Sequence, residues 1–215
     1  MCEMKINFLG DSITDCGGAS CRENGYPSLV AKYFHAEECN YGLAGTRIAK
    51  QKKIDPSHNL DAEVFEKRVA KLDGDAVFTF VFGGTNDYGT GDATLGCMED
   101  RDTYTFYGAM HQLVTYLLEK FEKDKLCFIL PIPRYNQDNP YGDGKTESFG
   151  ALSAYIQAEK EVLVYYGVEY LDLTNKFPVP KSSQTDGSFL DGLHPNDNGH
   201  KLIADCLIEY LEKKL

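Results

Sequence analysis

Short apolar runs punctuate the chain at residues 5–9, 76–82, 126–130 and 168–171, with a weaker one at 35–40. Runs of this length, apolar throughout rather than alternating, suit strands buried on both faces of a parallel sheet. Between them the apolar spacing lengthens to the 3.6-residue period of an amphipathic helix. Leu202, Ile203, Cys206, Leu207, Tyr210 and Leu211 form one stripe, and Phe106, Met110, Leu113, Val114, Leu117, Leu118 and Phe121 a second. Val64, Phe65, Val69 and Leu72 make a shorter third, and Leu152, Tyr155, Ile156 and Leu163 a fourth; residues 26–34 also read as helical. For the last helix, Asn196 suits the N-cap, Asp197 the first turn, and Lys213 and Lys214 the last turn.

Strand and helix thus alternate, which predicts an α/β fold: one three-layer α/β/α sandwich over residues 1–215, on a mostly parallel sheet of about five strands. In such sheets ligands bind beyond the carboxyl ends of the strands. A catalytic set must therefore fall just after strands. Two long loops rich in Gly, Asp and Tyr, at 88–102 and 131–145, follow strands and are expected to overhang that end.

Charge narrows the function. The formal net charge is −11, and such a chain repels nucleic-acid phosphates and anionic membranes. No apolar run approaches the roughly 20 residues that span a bilayer. The chain enters its first strand without the apolar stretch of a leader, so it reads as cytoplasmic. The seven cysteines, Cys2, Cys16, Cys21, Cys39, Cys97, Cys127 and Cys206, include no Cys-x-x-Cys pair and suit reduced thiols. Cys127 and Cys206 lie in apolar segments and are expected in the core. Nothing in the chain marks an oligomeric state.

Four segments carry candidate chemistry. Gly10-Asp11-Ser12-Ile13-Thr14 follows the first strand and can expose a serine hydroxyl at its end. Asn40-Tyr41-Gly42-Leu43-Ala44-Gly45-Thr46 follows the second, and Gly45 offers a backbone N–H without a Cβ in the way. Gly83-Gly84-Thr85-Asn86-Asp87 follows the third and offers the Asn86 amide. Asp191-Gly192-Leu193-His194-Pro195-Asn196 places a histidine before the last helix and an acid three residues earlier. Each alone is equally a turn, a loop glycine or a capping cluster. The last segment also admits a metal reading through Asp191, His194, Asp197 and His200. Together they meet the needs of acyl transfer: nucleophile Ser12, base His194, orienting acid Asp191, and oxyanion donors from the Ser12 and Gly45 N–H groups and the Asn86 side chain.

In order and content the four segments resemble the blocks of the SGNH hydrolases, the GDSL-like lipases and acylhydrolases. GDSIT, GTND and DGLHP match closely; the second block, from Asn40 to Gly45, is looser. The resemblance runs from Ile6 to about His200. No G-x-S-x-G elbow is present. It implies a flavodoxin-like sandwich and ester hydrolysis through an acyl-enzyme on a small-molecule ester, with no cofactor and no metal. Candidate substrate-binding residues are Asp11, Tyr88, Arg134 and Tyr135. Tyrosines of the long loops can stack on a sugar or cover the core edge, and Arg134 can hold substrate or pair with an acid. Short acyl esters, most simply acetyl, of a carbohydrate or small polar alcohol are the expected substrates. A lysophospholipase or thioesterase, or a non-catalytic binding module, are the alternatives.

Overall fold

The structure, a computed structural model, describes residues 4–53 and 63–215. Five strands form one parallel sheet: β1 (Lys5–Gly10), β2 (Glu37–Gly42), β3 (Phe78–Phe82), β4 (Leu126–Ile129) and β5 (Glu169–Leu171). Their order is β2-β1-β3-β4-β5, the doubly wound order whose switch point lies at the carboxyl ends of β1 and β3. Alternation along β3 shows how the sheet divides the core. Phe78, Phe80 and Phe82 enter one apolar cluster, shared with α1 (Tyr26–Tyr33) and α6 (Asp197–Leu211). Val81 enters the other, shared with α4 (Phe106–Lys120) and α5 (Leu152–Tyr166). Asn7 is the buried polar residue of β1; its amide donates to the Asp73 carbonyl and to Thr79.

Local chemistry sets most boundaries. The Asn196 side chain accepts from the Asn198 and Gly199 N–H groups and starts α6. Thr105 caps α4 through the Gly108 N–H. The second strand begins at Glu37, because His35 adopts φ 51° in leaving α1. The third apolar stripe forms only a four-residue helix, α2 (Phe65–Arg68), and a 3₁₀ turn at Val69–Lys71. Lys213 and Lys214 fall beyond the end of α6, and Lys214 instead pairs with Glu169 of β5 at 2.6 Å. Cys127 is fully buried and Cys206 packs against the same cluster. Cys2 lies outside the described residues.

Candidate active site

β1 ends at Gly10, and the next residues fold into a tight turn in which the Gly17 N–H donates to the Ser12 carbonyl at 2.7 Å. Ser12 Oγ lies 2.9 Å from His194 Nε2. His194 Nδ1 lies 2.8 Å from Asp191 Oδ2. With the ring proton on Nδ1, donated to the carboxylate, the Nε2 lone pair faces the serine hydroxyl. Asp191 Oδ1 also accepts the N–H groups of Leu193 (3.0 Å) and His194 (2.7 Å). Partial burial works to raise the Asp191 pKa, but the bonds from His194 and Leu193 prevail and hold it below the ordinary carboxylate range. Asp191 therefore stays ionised at neutral pH and orients the ring. The histidine loop comes this close because Gly18, at φ +91°, carries no Cβ: one built there would lie 2.2 Å from the Pro195 carbonyl and 2.9 Å from His194 Cβ.

The opposite side of the serine is built from the ends of β2 and β3. Gly45 has φ +75°. Among the described residues its N–H and that of Ser12 have no acceptor. Asn86, in the first turn of α3 (Thr85–Gly89), donates one amide hydrogen to the Thr46 carbonyl at 3.0 Å, and among the described residues the other meets no acceptor. Asp87 beside it is buried and accepts from Ile48 N–H (2.9 Å) and Ala49 N–H (2.8 Å). Burial pushes its carboxyl up to about 6, against the opposing pull of those two donors. Neighbouring residues of α3 thus clamp the loop that carries Gly45. In the sequence Asp87 reads only as part of a glycine-rich turn; its role depends on the 46–49 loop lying alongside α3.

Of the candidate substrate-binding residues, three turn inward. Asp11 is buried, and its carboxylate accepts the Ile13 N–H at 3.0 Å; burial raises its pKa to about 6. Tyr88 is a residue of α3 rather than of a loop. It is fully buried, and its hydroxyl donates to the carbonyls of Asn136 and Asn139. Arg134 is buried and bound to Asp143 at 2.5 Å and to the Thr85 carbonyl at 3.1 Å, bracing the 131–145 loop against α3. Tyr135 alone of the four faces solvent. It is 45% exposed, and its N–H donates to Gly192 O at 2.7 Å, which sets it beside the His194 loop.

The four ligands of the metal reading do not converge. Asp197 binds Ser20 and Asn24. His200, kept neutral by burial, accepts from Tyr26 N–H and donates to Gly17 O, which supports the Ser12 turn from below. No group of three or more candidate metal ligands occurs among the described residues. No helix among them is long and apolar enough to cross a membrane.

Solved structures similar to this chain include a Lactobacillus plantarum protein with 27% identity and a TM-score of 0.76, covering 100% of this chain and 99% of that one. A carbohydrate acetylesterase from Sinorhizobium meliloti has 14% identity and a TM-score of 0.69, covering 99% and 100%. A protein of Agrobacterium tumefaciens C58 assigned as an arylesterase has 17% identity and a TM-score of 0.65, covering 99% and 100%. At those identities the last two share the fold alone. Among curated protein sequences none matches the chain. The sequence model of the GDSL-like Lipase/Acylhydrolase family matches residues 8–202, a span that takes in Ser12, Gly45, Asn86, Asp191 and His194, and the chain is a carboxylic ester hydrolase belonging to that family.

Proposed function

We propose that the protein is a serine esterase in which Ser12 is the nucleophile, His194 the general base and Asp191 the orienting acid. The observation that carries this reading is the continuous chain Ser12 Oγ, His194 Nε2, His194 Nδ1, Asp191 Oδ2, with links of 2.9 and 2.8 Å at the carboxyl end of the sheet. A serine hydroxyl is a weak nucleophile until a base takes its proton. His194 Nε2 takes that proton as Oγ attacks the ester carbonyl carbon. The carbonyl electron pair moves onto oxygen, where the N–H groups of Ser12 and Gly45 and the free hydrogen of Asn86 Nδ2 can receive it. Collapse breaks the ester C–O bond, and His194 returns the proton to the leaving alkoxide. Water then attacks the acyl-enzyme by the same route, releasing the acid and restoring Ser12.

The acyl group is short, most simply acetyl, and the alcohol small and polar or carbohydrate-like. Among the described residues, the exposed large apolar side chains on the loops bearing the site are Leu43, Tyr135, Tyr141, Val179 and Leu190, no two of them adjacent in sequence. A long acyl chain needs a contiguous apolar surface. The likeness in fold to a carbohydrate acetylesterase is consistent with this substrate class. The test is hydrolysis of p-nitrophenyl esters from acetate to palmitate by the wild type and by Ser12→Ala. Activity that is highest on acetate, declines with chain length and vanishes in Ser12→Ala is expected. Equal turnover of acetate and palmitate would overturn the short-acyl reading, and activity that survives Ser12→Ala would overturn the mechanism.

A further inference from the structure

Arg68 lies within the apolar stripe that forms α2, and it is buried. Nothing in the triad or the oxyanion donors calls for it, yet its guanidinium is bonded through all three nitrogens. Nε donates to the Glu63 carbonyl at 2.8 Å. Nη1 donates to the carbonyls of Gly10 (2.8 Å) and Tyr41. Nη2 donates to Thr46 Oγ1 at 2.9 Å. The Phe65 ring lies beneath, 4.6 Å from the guanidinium carbon to the ring centroid.

These acceptors are the framework of the oxyanion donors. Gly10 closes β1 two residues before Ser12. Tyr41 is near the end of β2. Thr46 follows Gly45, and its hydroxyl, while accepting from Arg68, donates to Leu43 O at 2.7 Å and so closes the turn that gives Gly45 its positive φ. The Thr46 carbonyl is also the acceptor for Asn86 Nδ2. One planar fork therefore fixes the spacing between the strand that delivers Ser12, the turn that delivers Gly45 and the residue that holds Asn86. A lysine ammonium cannot reproduce a planar fork of this reach.

The charge is placed as deliberately as the geometry. Burial lowers the Arg68 pKa to about 10, opposed by the more distant carboxylates of Asp11 and Glu63, and the group remains cationic at neutral pH. Its direct hydrogen-bond acceptors are carbonyls and a hydroxyl, so no carboxylate in contact cancels the charge among the described residues. A cation behind the ends of β1 and β2, paired with no carboxylate in direct contact, favours negative charge developing in front of them.

We propose that Arg68 is a positioning residue for ester hydrolysis, setting the geometry and the electrostatic field of the oxyanion hole through Gly10, Tyr41 and Thr46. This rests on the serine-esterase reading above. The test compares the wild type, Arg68→Lys, Thr46→Val and Thr46→Ser, assayed well below their melting temperatures. The readouts are kcat and KM on p-nitrophenyl acetate and the inhibition constant of an aryl boronic acid, which forms a tetrahedral anion on the serine. Arg68→Lys is expected to lower kcat by about tenfold or more, short of the 10²–10³ cost of losing an oxyanion donor itself. KM should stay within about twofold, and boronate affinity should fall in step with kcat. Thr46→Val should show the same pattern to a smaller degree, and Thr46→Ser, which keeps the hydroxyl, should recover the rate. If Arg68→Lys does not fold, the threonine pair decides. Lowered melting temperatures with unchanged kcat and unchanged boronate affinity would overturn the proposal and leave Arg68 a purely structural residue. A wild type that neither hydrolyses the ester nor binds boronate would instead overturn the esterase reading.

Discussion

The two sides of Ser12 are built differently. On the side proposed to receive the oxyanion the backbone is gripped by buried charged groups: Asp87 holds the 48–49 N–H groups and Arg68 holds the ends of β1 and β2. On the side proposed for acid–base chemistry, His194 and Asp191 sit on the loop before α6, with side chains 25% and 45% exposed. That loop is tied mainly by local bonds such as Leu190 N–H to His194 O at 2.8 Å. Donors that must meet a developing charge need fixed positions, because reorganisation at the moment of reaction costs rate. A base that exchanges protons with the leaving alcohol and with water needs access to solvent. The contrast suggests that mutations on the first side should act on kcat through geometry, and on the second through proton transfer.

The largest effects break the second side outright. Ser12→Ala and His194→Ala should each remove nearly all hydrolysis of p-nitrophenyl acetate, leaving only the residual rate that binding and the oxyanion donors supply. Wild-type activity should also be lost in acid, since a protonated ring cannot act as base. A rate that does not fall in acid would contradict the role of His194.

Asn86→Ala should lower kcat by roughly 10²–10³ with little change in KM. A change confined to KM would remove Asn86 from the oxyanion hole. Asp191→Asn should cost less than loss of Ser12 or His194, because a side-chain carbonyl can still accept the Leu193 and His194 N–H groups that shape the loop. A loss equal to that of His194→Ala would show that ring orientation depends on the carboxylate charge itself.

The smallest effect concerns stability. Asp11 has its pKa raised by burial from 3.8 to about 6 in the folded state. Between those values the native protein holds a proton that the unfolded chain has released, so the Asp11 contribution to stability falls as pH rises through this window. Above it the cost is constant, of order 3 kcal/mol at most. Asp11→Asn can keep the bond from the Ile13 N–H without burying a charge. Its melting temperature relative to wild type should therefore rise from pH 4 to 6 and stay level above. A difference that shrinks over that range would mean that the Asp11 carboxylate is stabilised where it lies.

Much of this was legible in the sequence because it depends on local rules. The apolar runs mark the five strands to within two residues, and the Asn196 cap and the stripe of α6 follow from spacing alone. Ser12, Gly45, Asn86, Asp191 and His194 stand out because each sits in a short segment next to a strand or before the last helix. What stayed hidden depends on neighbours distant in the chain. Tyr88 reads as a loop residue, but Gly84 at φ +95° starts a helix there and turns the ring into the core. Arg134 and Asp11 are polar residues after strands, and only the packed structure shows their polar ends committed inward. Arg68 and Asp87 gain their partners from the β2-β1-β3 order, which no local pattern encodes. A lone arginine between Phe65 and Val69 in an apolar stripe is the one signal that could have pointed to the first.

The most direct test of the Ser12–His194–Asp191 assignment is mass spectrometry of the protein after reaction with a fluorophosphonate. The account predicts one adduct, on the peptide carrying Ser12, absent in Ser12→Ala and strongly slowed in His194→Ala. No adduct, or an adduct on another residue that persists in Ser12→Ala, would contradict it.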